Sequence, residues 1–168
     1  MDEIKSKEDF INHFADKIWD RASLVNPETG RFEDRHIPIL AAIYKGLDRF
    51  IEAQNNHNAY QTALEEVKSG KKKTHWIWYI FPQMRGLGTS EKSKNYGIQN
   101  RDEAKAYINH PILRDRLVEI THAVYNSDKS VYEIFGNDAI KVRSCMLLFA
   151  SVSDILIFKQ MIKKYSWK

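Results

Sequence analysis

This chain has a single cysteine, no long apolar run and no complete catalytic signature, and each absence narrows what it can be. The lone Cys145 excludes an internal disulfide framework and fits a reducing cytosol. Residues 1–20 carry charge throughout, leaving no stretch for a signal peptide or a membrane span, so the expected location is cytoplasmic with no membrane partner. The six histidines are scattered, HExxH and CxxC are absent, and the acidic spacing matches no calcium loop. Neither a metal nor a cofactor is therefore expected. There is no Walker loop, no GxGxxG fingerprint after a strand, and no GxSxG elbow around Ser144. Internal repeats, low-complexity tracts and long alternating patterns are missing too.

What is present describes an ordinary globular domain. At 168 residues one domain is the default, able to bury roughly 70% of its unfolded surface without staples. The net charge of +4 and pI near 9.0 bring nucleic acid into view as a partner. Its cations are dispersed, however, apart from Lys71, Lys72 and Lys73, which follow Gly70 at a helix end where positive charge suits the macrodipole. Nucleic acid is accordingly disfavoured, and the oligomeric state is open.

Apolar residues recur at helical spacing along most of the chain, and the fold class they predict is mainly α, a single multi-helix domain. Ser6 with Asp9 resembles a capping box ahead of Phe10, Phe14 and Ile18, and Asn26 to Gly30 is turn chemistry. Pro38 can open a helix through Tyr44, and Leu47, Phe50 and Ile51 continue an apolar face. Tyr60, Leu64 and Val67 form another, ending at Gly70. Ser90, Asn100 with Glu103, Asn137, and Ser153-Asp154 are the expected later caps, and Pro111 suits a helix first turn after His110. Residues 1–46 are expected to pack as an appended helical segment on a main domain of residues 47–168.

The richest segment is His75-Trp76-Ile77-Trp78-Tyr79-Ile80-Phe81-Pro82-Gln83-Met84-Arg85-Gly86-Leu87-Gly88. It is too apolar for a loop tip and too full of polar-headed aromatics for plain core, so it belongs beside a pocket or a polar network. Periodicity leaves residues 75–81 open between a strand and a buried helix.

This segment also carries a likeness. Together with Asp48 to Gln54, His110-Pro111-Ile112-Leu113, Glu133-Ile134-Phe135-Gly136 and Lys141 to Phe149, it resembles the bacterial domain-of-unknown-function 1810 family over residues 47–150. That resemblance implies a compact, mostly helical domain and supplies no reaction. Some members of the family carry the label "calpastatin"; nothing at residue level in this chain supports calcium-linked inhibition.

Candidate site residues follow from chemistry. His75 is the candidate for proton transfer, since imidazole titrates near neutrality, with hydrogen-bonded packing as the plainer role. Trp76 and Trp78 can wall a cleft and stack on a planar group, while Gln83 and Arg85 supply polar and anion-binding contacts. Gly86 and Gly88 let the backbone approach a ligand, although an ordinary turn followed by a Ser90 cap explains them as well. Lys141 and Arg143 sit on a strongly apolar helix and need anionic partners: Glu133, Asp138 or a ligand. Cys145 and Ser144 make poor nucleophiles there. The function these residues suggest is binding of a small anionic, nucleotide-like ligand in an aromatic and basic cleft formed where residues 75–88 meet the Lys141 helix. The rivals are a protein-interaction module with no small-molecule site and an enzyme using His75.

Overall fold

The computed structural model describes residues 37–168. The expected helix and cap at Ser6 to Ile18, and the turn at Asn26 to Gly30, lie outside the described residues. Within them the chain is all helix and loop, with no strand; one parallel bridge joins Met84 to Ile98. None of the described helices is long and apolar enough to cross a membrane.

Helix α1 (Ile37–Asn55) runs unbroken past Tyr44 and through positions 46 and 47. Its inward residues Ile43, Leu47, Phe50, Ile51 and Gln54 repeat at three and four positions, so one stripe faces the core. After a 3-10 turn at Asn56–Asn58, α2 (Ala59–Lys68) buries Tyr60, Ala63, Leu64 and Val67. It ends where Gly70 adopts φ +88°, the left-handed cap that glycine takes without strain.

Residues 75–81 settle as neither a strand nor a long helix but around a single turn, α3 (Ile77–Ile80). Their apolarity has a plain cause: Trp76, Ile77, Ile80 and Phe81 are all buried, while Trp78 and Tyr79 are half-buried. Helix α4 (Glu91–Tyr96) starts at Ser90, whose hydroxyl accepts the Ser93 N–H. In α5 (Arg101–Asn109) Asn100 does the same for Glu103. His110, extended as a residue before proline must be, caps α6 (Pro111–Tyr125) with Nδ1 accepting the Ile112 N–H. All three starts agree with the sequence.

Two expected caps do not form. Helix α8 (Ala139–Val152) starts from Asp138 rather than Asn137, because a 3-10 turn at Gly136–Asp138 takes up that residue, and Asp138 spends its carboxylate on lysines instead of the backbone. Before α9 (Leu156–Tyr165) neither Ser153 nor Asp154 caps: the Ser153 hydroxyl donates back to Phe149 O at 2.7 Å, and Asp154 meets Lys159. A helix unforeseen in the sequence, α7 (Val131–Phe135), carries a full capping box between Ser130 and Glu133.

An aromatic column binds these helices together. Phe50 of α1 meets Tyr107 of α5 edge-on at 5.1 Å, Tyr107 meets Phe149 of α8 at 5.1 Å, and Phe149 meets Phe158 of α9 at 6.2 Å. Two polar clamps hold the loops against it. Arg49 grips Glu103 through both guanidinium nitrogens and also donates to the carbonyls of Asn95 and Gly97 at 2.9 and 2.8 Å. Gln54 donates to Tyr79 O at 2.8 Å and accepts from Arg116 at 3.2 Å, tying α3 to α1 and α6. The Met84–Ile98 bridge brings Gly97 so close to Arg85 that a Cβ there would stand 2.7 Å from the Arg85 Cα. Only glycine fits. The loop carrying Gln83 and Gly88 is thereby fixed over α8.

Candidate functional site

The tryptophans divide the segment. Trp76 is core: it lies edge-on to Phe135 at 5.9 Å, and its indole Nε1 donates to the Glu66 carboxylate at 3.0 Å. Glu66, 8% exposed, also accepts the N–H groups of Lys73 and Thr74 and the Thr74 hydroxyl. Burial works to raise this carboxyl, but the Thr74 hydroxyl, the two backbone donors and the indole outweigh it and hold it below the ordinary value of 4.5. Every donor aimed at Glu66 is used.

Trp78 is different. Only partly buried, it walls an open cleft of about 410 Å³ with Gln83, Gly88, Thr89, Ser90 and Lys141, and Leu87 and Ile140 stand on its rim. Lys92 Nζ lies 5.1 Å from the Trp78 ring centre and Lys141 Nζ 6.0 Å. Among the described residues no carboxylate lines the cleft. Lys141 does have a partner, Asp138, at 2.8 Å, and Asp138 also meets Lys72 at 3.3 Å. One acid thus serves two lysines. Burial tends to raise the Asp138 carboxyl, but the bond and charge of Lys141, then those of Lys72, keep it below its ordinary range. Lys92 has no ion pair among the described residues. The local balance is positive, against an aromatic wall.

A second groove of about 330 Å³ opens on the other side of α4. Here His75 is exposed and faces a wall that includes His57, Thr74, Tyr79, Lys92 and Tyr96. Tyr79 and Tyr96 meet edge-on at 5.2 Å. The Tyr79 hydroxyl reaches the His75 backbone carbonyl rather than its ring.

The residues expected to make one site are therefore partly assembled and partly dispersed. Trp78, Gln83, Gly88 and Lys141 line one cleft, with the Lys141 Nζ 6.0 Å from the Trp78 ring centre. Trp76 is sealed into the knot, and His75 opens into the second groove. Arg85 points outward to Gln99 Oε1 at 2.9 Å. Gly86, at φ +95°, serves an exposed turn, while Gly88 makes room for Ser93, which a Cβ would approach to 2.8 Å. Arg143 lies two positions from Lys141, about 200° around the helix. It donates to the backbone carbonyl of Lys168 at 2.8 Å, and its Nε is buried without a partner among the described residues. Lys72, grouped in the sequence with two solvated neighbours, instead sits 5.0 Å over the Trp76 ring and on Asp138. Cys145 is fully buried, and burial pushes its thiol well above the ordinary value, which suits an inert core residue. Among the described residues no three metal-binding side chains gather.

Sequence reasoning missed Lys92, Leu87 and Ile140. Lys92 sits on a short polar helix with no apolar stripe to orient it. Leu87 and Ile140 read as core by composition, yet both are 61% exposed. A large apolar side chain beside glycines was the one available signal of a rim.

The chain is 40% identical to the conserved hypothetical protein Rv1873 from Mycobacterium tuberculosis, whose crystal structure it matches with a TM-score of 0.69 over 73% of this chain and 89% of that one. It matches no curated protein. The family model "Protein of unknown function (DUF1810)" covers residues 44–167. On that match, spanning the described domain from the middle of α1 to the end of α9, the chain belongs to the DUF1810 family.

Proposed function

We propose that the Trp78 cleft binds a small anionic ligand carrying a planar group, of nucleotide type. One observation carries this: Lys92 and Lys141 both bring their ammonium groups to the Trp78 ring, at 5.1 and 6.0 Å from its centre, and among the described residues no carboxylate lines the cleft that Trp78 walls. A planar group can lie against the indole while its charge meets the ammonium groups. Gln83, Thr89 and Ser90 add hydrogen-bonding side chains around it. A cytoplasmic setting is part of the proposal and is supported by the single, buried thiol of Cys145.

The test is thermal or urea unfolding with AMP, ATP, inorganic phosphate and citrate. A ligand present at 100 times its dissociation constant adds about 2.7 kcal/mol of stability. Stabilisation by a nucleotide, lost in Trp78→Ala, is the expected result. No stabilisation by any of the four would refute it.

A second reading rests on Leu87 and Ile140, whose exposure on the rim suits a partner protein's apolar residue. Leu87→Ser with Ile140→Ser leaves nucleotide binding intact under the first reading and abolishes partner capture under the second. Proton transfer by His75 would have to take place in the other groove, on the far side of Lys92.

A further inference from the structure

Two clefts flank α4, and among the described residues neither is lined by an acid. Lys92 stands between them: it lines the His75 groove, and its Nζ lies 5.1 Å from the ring centre of Trp78, which walls the other cleft. Tyr96, one helical turn on and on the same face, lines the His75 groove and also the small gap beneath Trp78, Gln83 and Lys141. The clefts are thus neighbours across a single lysine and a single tyrosine.

Size points the same way. The clefts measure about 410 and 330 Å³. Each is at the low end of the roughly 300–1,000 Å³ usual for small-molecule sites. Their chemistry is complementary rather than duplicated. The Trp78 cleft offers an indole face and a lysine, whereas the second groove offers two imidazoles, the Asn56 amide and the Thr62 hydroxyl.

The backbone adds an independent observation at the second groove. His57 and Asn58 both hold left-handed conformations, at φ +50° and +55°, at the step from α1 into α2. Two successive non-glycine residues in that region are uncommon, and such strain gathers at binding sites. Here it lies in the wall that carries His57.

Resting on the anion-binding reading of the Trp78 cleft, we infer that the two clefts are halves of one site for a dinucleotide, two planar nucleosides joined through phosphates. One base lies against Trp78. The phosphate bridge crosses at Lys92, the cation that lines the second groove and reaches the Trp78 ring. The second nucleoside enters the groove of His57 and His75, where imidazole, amide and hydroxyl groups meet its sugar and base edges.

The experiment is isothermal titration of the protein with AMP, ATP and diadenosine tetraphosphate, ATP controlling for phosphate charge. The dinucleotide is expected to bind at least 10-fold tighter than ATP. His75→Ala should abolish that advantage while leaving AMP and ATP binding unchanged, and Lys92→Ala should weaken ATP and the dinucleotide alike. His75 and Lys92 are exposed, so both variants should keep the parent's circular dichroism and melting curve, which are recorded alongside. Equal affinity for ATP and the dinucleotide, or an advantage that survives His75→Ala, overturns the double site yet leaves the Trp78 cleft standing as a mononucleotide site. Failure of all three ligands to bind overturns both.

Discussion

Trp76 and Trp78 stand two positions apart on one stretch of chain, yet the first is 2% exposed with its indole N–H on Glu66, while the second walls an open cleft between Lys92 and Lys141. Around Trp76 an acid meets as many donors as it can accept, and the charge is used up inside the fold. Around Trp78, Lys141 shares Asp138 with Lys72, Lys92 has no ion pair among the described residues, and none of those residues puts an acid into the cleft lining. Polar groups that satisfy one another supply stability, whereas those left over near an open surface are available to a ligand. Chemically similar residues thus divide by whether the fold has already partnered them.

The contrast is broken most severely at the closed polar clamps. Arg49→Ala leaves Glu103 buried, its side chain 5% exposed, and frees the carbonyls of Asn95 and Gly97. A loss of about 3–5 kcal/mol in urea unfolding is expected, the range for breaking a buried ion pair from one side. Glu66→Ala strands the Trp76 indole and the Thr74 donors, with an expected loss of about 2–3 kcal/mol and no change in the slope of the urea transition.

Acid sharpens the same contrast. Because the folded pKa of Glu66 lies below its ordinary 4.5, the unfolded chain takes up the proton first. The stability Glu66 provides is therefore fully present above about pH 4.5 and is lost as pH falls through the lower, folded value. Glu66→Gln should flatten that limb of a stability profile recorded between pH 6 and pH 3; an unchanged profile would show that the Glu66 knot is not a source of acid sensitivity.

The open side should respond least. Trp78→Ala removes a half-buried ring and is expected to cost about 1–2 kcal/mol, less than full burial of an aromatic would imply. His75→Ala and Lys92→Ala should stay within about 0.5 kcal/mol of the parent, as surface changes do. If either of these shifted the urea midpoint as far as Glu66→Ala, the division between a closed and an open region would be wrong.

Much of the fold was legible because its signals are local. The Ser90, Asn100 and His110-Pro111 starts need only a side chain and the next turn of backbone, and they appear as expected. Asn137 and Ser153 were misread because the residues around them had alternatives: Asp138 is drawn to Lys72 and Lys141, and Ser153 bonds back into the preceding helix. Half of the candidate site was visible for the same reason. Trp78, Gln83 and Gly88 lie on one short segment, and Lys141 was expected to pack against it. Arg143 could not be sorted from Lys141 without the helix's rotation in its socket, nor His75 from its neighbours without the turn of α3.

By itself the sequence determined that this is a helical domain, where several of its helices begin, and which segment carries the aromatic and cationic groups. It could do so because capping and apolar spacing act over a few residues. Only the tertiary structure decided that Trp76 is core and Trp78 is wall, that Lys92 stands between two clefts, and that Arg143 turns away from both. Those outcomes depend on contacts between different elements, such as Trp76 with Glu66, Lys141 with Trp78 and Arg143 with the Lys168 carbonyl, which local capping and apolar spacing do not encode.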